Sequence, residues 1–259
     1  REQIKQSISA AKMPLAIDVE LKSYNDMIQS IVSSTIRATP YNWILCEGLS
    51  DKLYLEYYCQ DLIKNNNLRI LPLGGFKEVR RAYEYLWQPL NDPQYRTTGK
   101  VLCLVDTDTQ MENVELKANS TSIQFSRIIF DTAKNECTIV NVDDQKRSPA
   151  TEIEQALDGQ RFVETVSELE DNESSQAIKD IISNASLNTS SSSTIGFLDL
   201  GPSAAARLMN EYFDIKNNKV EFARQYISAE STIPPWIEKI QQYFIAPTKR
   251  TRRTTKALE

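Results

Sequence analysis

The stretch that most constrains the fold is Lys100-Val101-Leu102-Cys103-Leu104-Val105, an apolar run too short for a core helix and lacking the polar alternation of a one-sided strand. Such a run reads as a strand covered on both faces, which is the habit of parallel strands. Two further candidates precede it: Trp43-Ile44-Leu45-Cys46, ended by Glu47-Gly48, and Arg69-Ile70-Leu71-Pro72-Leu73, followed by the turn Gly74-Gly75. Helical patterns separate them. Ser50 can cap a helix over 51–64 with Leu53, Leu55, Tyr58 and Leu62 on its apolar face, and 77–87 reads as a second. Strands alternating with helices predict an α/β fold with a mostly parallel sheet, and ligands at the carboxyl ends of its strands.

Around this centre the pattern changes. Residues 1–40 carry apolar positions at helical spacing, interrupted by Pro14, which predicts two helices. Segments 126–130 and 137–142 suggest a hairpin turning near Lys134-Asn135. Beyond Thr151 helix dominates, with candidates over 215–227 and 235–244, broken by a polar run over 184–194 that includes Ser190 to Ser193 and reads as a flexible loop. The end is basic, with Lys249, Arg250, Arg252, Arg253 and Lys256, and is expected to be disordered. Its 259 residues, 41% hydrophobic, suffice for one large or two modest domains. Nothing approaches the ~20 apolar residues of a membrane span and no secretion signal is visible, so we expect a cytoplasmic protein with no membrane partner. Because it opens on Arg1 and ends on Leu258-Glu259, which resembles a vector scar, the chain is read as a piece of something longer.

Composition removes whole classes of chemistry. There is no histidine, which excludes a Ser-His-Asp or Cys-His nucleophile system, a His-metal nuclease and any zinc site with a His ligand. Cys46, Cys59, Cys103 and Cys137 show no CxxC spacing and are expected to be reduced and structural. With Lys+Arg 30 against Asp+Glu 35 the net charge is −5, so contact with nucleic acid has to be local.

What remains is carboxylate and lysine. Glu47 closes the first strand and Asp51 follows in a strand-loop-helix setting. Asp106 and Asp108 close the third strand, two residues apart and therefore expected to share a face. Glu152 and Glu154 open a later helix, where a separation of about 200° leaves room for only one of them at a shared site. Any one carboxylate alone reads as a helix cap or a wet surface group. Convergence of five would cost roughly 1 to 4 kcal/mol per close pair, which cations relieve. Hard oxygen ligands without His or thiolate suit Mg²⁺, Mn²⁺ or Ca²⁺, and two such ions are a known arrangement for phosphodiester displacement.

Glu47-Gly48-Leu49-Ser50-Asp51 after one apolar strand and Asp106-Thr107-Asp108 after another resemble the TOPRIM domain of topoisomerases, bacterial primases and the overcoming-lysogenization-defect (OLD) nucleases. Thr151-Glu152-Ile153-Glu154-Gln155-Ala156-Leu157 is similar to the third acidic motif of the OLD nucleases, and Asn218-Lys219-Val220-Glu221-Phe222-Ala223 to the segment bearing their lysine. The resemblance covers roughly 41–245 and matches poorly over 160–215. It implies a TOPRIM, Rossmann-like core over 41–160 behind a helical N-terminal segment (1–40), a helical insertion with a Ser-rich loop (161–215), helices completing the domain (216–246) and a basic tail (247–259). It further implies a DNA endonuclease or nickase in which Glu47, Asp51, Asp106, Asp108 and Glu152 or Glu154 hold two Mg²⁺ or Mn²⁺ ions and Lys219 stabilises phosphate charge. An ATPase domain or subunit, a homo-oligomer and a role in anti-phage defence follow from the same source.

Several rivals keep their place. Lys219 alone reads as a solvated helix lysine. Lys77, just after Gly74-Gly75, is a second candidate for phosphate. Asp106 with Glu115-Leu116-Lys117 imitates a PD-(D/E)xK nuclease site, but 111–119 is polar and loop-like. No zinc-ribbon cysteines or nucleophilic tyrosine context favour a primase or topoisomerase. A non-catalytic TOPRIM-like binding module stays open. The chain has no GxxxxGK[ST] loop, so an ATPase would lie outside it. The basic tail could follow a DNA backbone.

Overall fold

The computed structural model describes residues 14–108, 114–117, 120–199, 209–215 and 217–245. Five strands form the main sheet: β1 (Asn42–Cys46), β2 (Leu68–Pro72), β3 (Val101–Val105), β4 (Ile123–Asp131) and β5 (Glu136–Asn141). Their order is β2-β1-β3-β4-β5, parallel throughout except for the final β4/β5 hairpin. The fold is therefore α/β with a mostly parallel sheet, and the hairpin turns at Lys134, Asn135 as the sequence suggests.

Helices cover both faces. Helix α1 (Pro14–Thr35) and α4 (Phe76–Asn91) lie on one; α2 (Leu49–Tyr58), α3 (Gln60–Asn65), α5 (Gly159–Glu168), α6 (Glu173–Ser183), α8 (Asn218–Tyr226) and α9 (Pro235–Ile245) lie on the other, with the short α7 (Thr194–Phe197) among them. Strand alternation divides the core accordingly. Ile44, Cys46, Leu102, Leu104, Ile128 and Phe130 enter the larger cluster, whereas Leu45, Val101, Cys103, Val105, Ile123 and Phe125 enter the smaller one with Ile31, Val79 and Leu86. All four cysteines are buried free thiols.

Two local expectations change. The helix expected over 51–64 is kinked at Cys59 into α2 and α3, although the hydrogen bonds from Cys59 N to Leu55 O (2.9 Å) and from Ile63 N to Cys59 O (3.0 Å) carry the helical ladder across. The expected flexible loop over 184–194 is a folded turn. Ser186–Leu187 (β6) pairs with Leu198–Asp199 (β7), Asn188 Oδ1 accepts from Ser190 N (3.1 Å), and the Ser193 hydroxyl caps α7. Serine and asparagine side chains thus supply the acceptors that a tight turn and a helix start require. Within the expected insertion, Phe162, Val166 and Ile178 of α5 and α6 pack in the same core as β1 and β3. The first of the two expected N-terminal helices and the basic tail lie outside the described residues. No helix among the described residues is long and apolar enough to cross a membrane.

Candidate active site

Parallel pairing sets the carboxyl ends of β2, β1 and β3 side by side, and the chain that leaves each one contributes to a single region. Glu47 follows β1. Its carbonyl accepts from Gly74 N (2.8 Å) and Gly75 N (3.1 Å), two glycines whose φ of 97° and 117° only glycine adopts without strain. Its carboxylate accepts from the amides of Phe76, at the start of α4, and Asp106, the latter with Oε1 at 2.9 Å. Glu47 is therefore fixed by both neighbouring strand ends. Asp51, in the first turn of α2, is 9% exposed and accepts from Gly48 N (2.8 Å) and from the Ser50 hydroxyl (3.3 Å).

The third element arrives through a two-residue bridge. Thr107 and Thr151 exchange both backbone hydrogen bonds at 2.9 Å, which lays 151–154 against the exit of β3. Here the expectation about Glu152 and Glu154 is overturned. Glu152 is extended (φ −91°, ψ 161°) and precedes a short 3₁₀ turn (Ile153–Ala156), so the two residues are not both helical and turn to one side. Lys219 Nζ pairs with Glu152 Oε2 and stands 3.8 Å from Glu154 Oε2. The turn is pinned from behind by Trp236 Nε1, which donates to Ala156 O at 2.8 Å.

Lys219 is not a solvated helix lysine. It shares the i, i+3, i+4, i+7 face of α8 with Phe222, Ala223 and Tyr226, all of them fully buried. The edge of Tyr54 on α2 meets Tyr226 with ring centroids 5.6 Å apart. That packing turns the ammonium into the carboxylates. Burial opposes its charge, but Glu154 and Glu152 outweigh burial and hold Lys219 protonated well above the usual lysine range.

Charge crowding marks the centre. Burial first, then Asp51, Glu47, Glu154 and Glu152, push the Asp106 carboxyl well above the ordinary aspartate value. Burial raises Glu47 as well, against the two amides that favour its ionised form. Glu154 is 1% exposed and is pushed up to about 7, chiefly by burial, with Lys219 opposing and Asp51 and Glu152 adding. Both Glu154 oxygens lack a hydrogen-bond partner.

These residues suit a divalent cation by their chemistry: hard oxygen donors only, crowded like charges, and two buried carboxylate oxygens without a donor. As they stand, no three Asp, Glu or Cys side chains among the described residues are grouped to hold a metal ion. The reason is visible in the contacts, since Asp51 and Glu47 are turned onto backbone amides and Glu152 onto Lys219. Ligation would require side chains to exchange these partners for a cation.

The remaining candidates are exposed. Asp108 is exposed, because β3 ends at Val105 and the bridge at Thr107 replaces the strand geometry that would have paired it with Asp106. Lys77 is exposed in the first turn of α4. Glu115 and Lys117 are exposed on a segment without strand structure, and Lys117 Nζ sits 5.4 Å over the Trp87 ring, which leaves no PD-(D/E)xK arrangement.

Two contributors escaped the sequence reading. Arg127 on β4 is fully buried; it donates to Thr107 Oγ1 (2.8 Å), to Asp144 O (3.0 Å) and to Lys146 O, anchoring the loop after Asp106. Its signal was a charge in the middle of an apolar strand. Tyr54, three residues after Asp51, is fully buried with no partner for its hydroxyl, and burial followed by Glu154 pushes that phenol well up. Comparison with protein-family models, with curated proteins and with solved structures gives no match for this chain.

Proposed function

We propose that this chain is a divalent-metal-dependent phosphodiesterase acting on DNA, an endonuclease or nickase of the TOPRIM type found in the OLD nucleases. The single observation that supports the reading is the meeting of Glu47, Asp51, Asp106, Glu152, Glu154 and Lys219 at the carboxyl end of a parallel sheet. They come from four separate segments. A structural need for burying that much negative charge is absent, because apolar residues would cost less.

In this reading Glu47, Asp51, Asp106, Glu152 and Glu154 hold two Mg²⁺ or Mn²⁺ ions, which when bound supply Lewis-acid stabilisation of the attacking and leaving oxygens. The chain's own groups do the rest. The amides of Phe76 and Asp106 hold the Glu47 carboxylate in one orientation. Lys219, kept protonated, offers donors for charge that builds on a phosphate oxygen. Arg127 and the Thr107–Thr151 bridge keep Asp106 and Glu152 adjacent. The resemblance extends the proposal to a cytoplasmic setting, an ATPase domain or subunit, a homo-oligomer and anti-phage defence.

A plasmid-cleavage assay with Mg²⁺, Mn²⁺ or EDTA tests this. Cutting should need the metal and fall about 100-fold or more in Asp106→Asn, Glu47→Gln and Lys219→Met. Metal-independent cutting, or variants as active as the parent, would overturn it. One observation favours a second reading, a non-catalytic acidic module: the carboxylates are engaged with amides and Lys219 rather than grouped for a metal. Calorimetric titration with Mn²⁺ separates the two, since the module binds none at the strand ends.

A further inference from the structure

Tyr54 carries a buried polar atom that the fold itself does not use. The residue is fully buried on α2, three residues after Asp51 and therefore on the same face of that helix, and its hydroxyl has no hydrogen-bond partner. The other tyrosines of α2 and α8 are all bonded. Tyr57 Oη donates to Ala229 O (2.9 Å), the Tyr58 and Tyr226 hydroxyls meet at 2.6 Å, and Tyr226 Oη also accepts from Asp158 N (3.1 Å). A phenylalanine would fill the same space without withdrawing a hydroxyl from water, so packing gives no reason for an oxygen at position 54.

The complementary want belongs to Glu154. It is 1% exposed and neither of its oxygens has a hydrogen-bond partner; Lys219 Nζ, 3.8 Å from Oε2, is too distant to supply one. The two residues are neighbours. After burial, Glu154 is the group that most raises the Tyr54 phenol, ahead of Tyr226, whose ring centroid is 5.6 Å from that of Tyr54. A donor without an acceptor thus adjoins an acceptor without a donor.

We propose that Tyr54 is a positioning residue for Glu154, its hydroxyl donating to one carboxylate oxygen so that the other is presented to a divalent cation. The inference rests on the reading of this cluster as a divalent-cation site and deepens it.

Both partners stand on fixed supports. The Tyr54 ring meets Tyr226 edge-on, at 84° between planes, and the Tyr226 hydroxyl is itself held by Tyr58 and Asp158. Glu154 lies in the 3₁₀ turn whose Ala156 carbonyl accepts from Trp236 Nε1. Only the side-chain torsions of Glu154 are left to bring donor and acceptor together. A carboxylate held through one oxygen loses less rotamer freedom when the other binds a cation, and outer partners of this kind are worth about 10- to 100-fold in metal affinity. Tyr54 touches no substrate; it acts through Glu154.

Calorimetric titration of the whole chain with Mn²⁺, paired with denaturant midpoints in EDTA, tests the proposal. In Tyr54→Phe the Mn²⁺ affinity should fall about 10-fold or more, while the midpoint in EDTA should equal or exceed that of the parent, because the metal-free fold loses no hydrogen bond. Tyr226→Phe is the control for a structural hydroxyl. Its midpoint should drop with the lost bonds to Tyr58 and Asp158, and its Mn²⁺ affinity should stay within about 2-fold of the parent. Unchanged Mn²⁺ affinity in Tyr54→Phe, or an EDTA midpoint lowered as far as that of Tyr226→Phe, would overturn the assignment and leave the cation site standing. A parent that binds no Mn²⁺ would overturn the cation site itself, and the role of Tyr54 with it.

Discussion

Helix α8 separates two acidic regions that solve the same electrostatic problem in opposite ways. Lys219 and Glu221 are two residues apart and thus about 200° around the helix. On the Lys219 side, carboxylates are withdrawn from water and are held by backbone amides, by one ammonium, or by retaining a proton, as the raised values of Asp106 and Glu154 express. On the Glu221 side, the carboxylates of Glu170, Glu173 and Glu221 remain in contact with solvent and make no ion pair with a described residue. Burial, more than the number of acidic residues, decides whether negative charge becomes a structural problem. It follows that substitutions on the two sides should differ in size, in pH dependence and in salt dependence.

Lys219→Met gives the largest effect, because it deletes the ammonium that pairs with Glu152 and Glu154. Although Lys219 and Glu152 are each about one-third exposed, the loss leaves the buried Glu154 without its counter-charge, which costs about 3 kcal/mol, and chemical denaturation at pH 8 should register it. At pH 5 the cost should shrink, since Glu154, whose carboxyl is pushed up to about 7, then holds a proton and needs no counter-charge. A change below ~0.5 kcal/mol at both pH values would mean that the cluster does not depend on its lysine.

Glu154→Gln acts in the other direction. Its folded carboxyl titrates at about 7 against an ordinary value of 4.5, so between these values the folded protein holds a proton that the unfolded chain releases. The associated stability is fully present below pH 4.5 and is lost as pH climbs through 7. A glutamine mimics the protonated form at every pH. The variant should match the parent at pH 4 and exceed it by up to about 3 kcal/mol at pH 8, measured from denaturant midpoints across the range. Asp106, shifted the same way, leaves a residual slope in the variant. A parent stability that stays flat from pH 5 to 8 would refute the raised value.

The sheet was legible because Val101–Val105 and the runs ending at Cys46 and Leu73 have the continuous apolar character that only doubly covered strands tolerate. Strand-end carboxylates were legible for the same reason, as polar residues abruptly closing apolar runs. Geometry beyond the strand ends was not. Whether Glu152 and Glu154 diverge or converge depends on one residue being extended instead of helical, and the Thr107–Thr151 bridge that decides it joins segments 44 residues apart. The exposure of Asp108 follows from β3 ending at Val105, a boundary that the apolar run does not reveal. The burial of Lys219 was readable in principle, since Phe222, Ala223 and Tyr226 define the face it shares, yet a lysine alone is by default a surface residue. The cavity on the other side of α8, lined by Glu170, Glu173 and Glu221, was beyond sequence reasoning, because its walls meet only after α6 packs against α5 and the 209–213 segment.

Smaller substitutions sharpen the contrast. Asp51→Asn retains an acceptor for Gly48 N and discards a charge next to Asp106, whereas Asp51→Ala loses both, so Asn should exceed Ala by about 1 kcal/mol in thermal or chemical unfolding. Equal stabilities would show that charge alone matters at that position. In the cavity, Glu170→Gln and Glu173→Gln should move stability by no more than about 0.5 kcal/mol, because water already solvates both carboxylates. Any gain should come from relief of like-charge repulsion and should vanish as added salt shortens the screening length. A loss above ~1 kcal/mol that persists in salt would place these glutamates in buried hydrogen bonds, and the distinction between the two sides of α8 would fail.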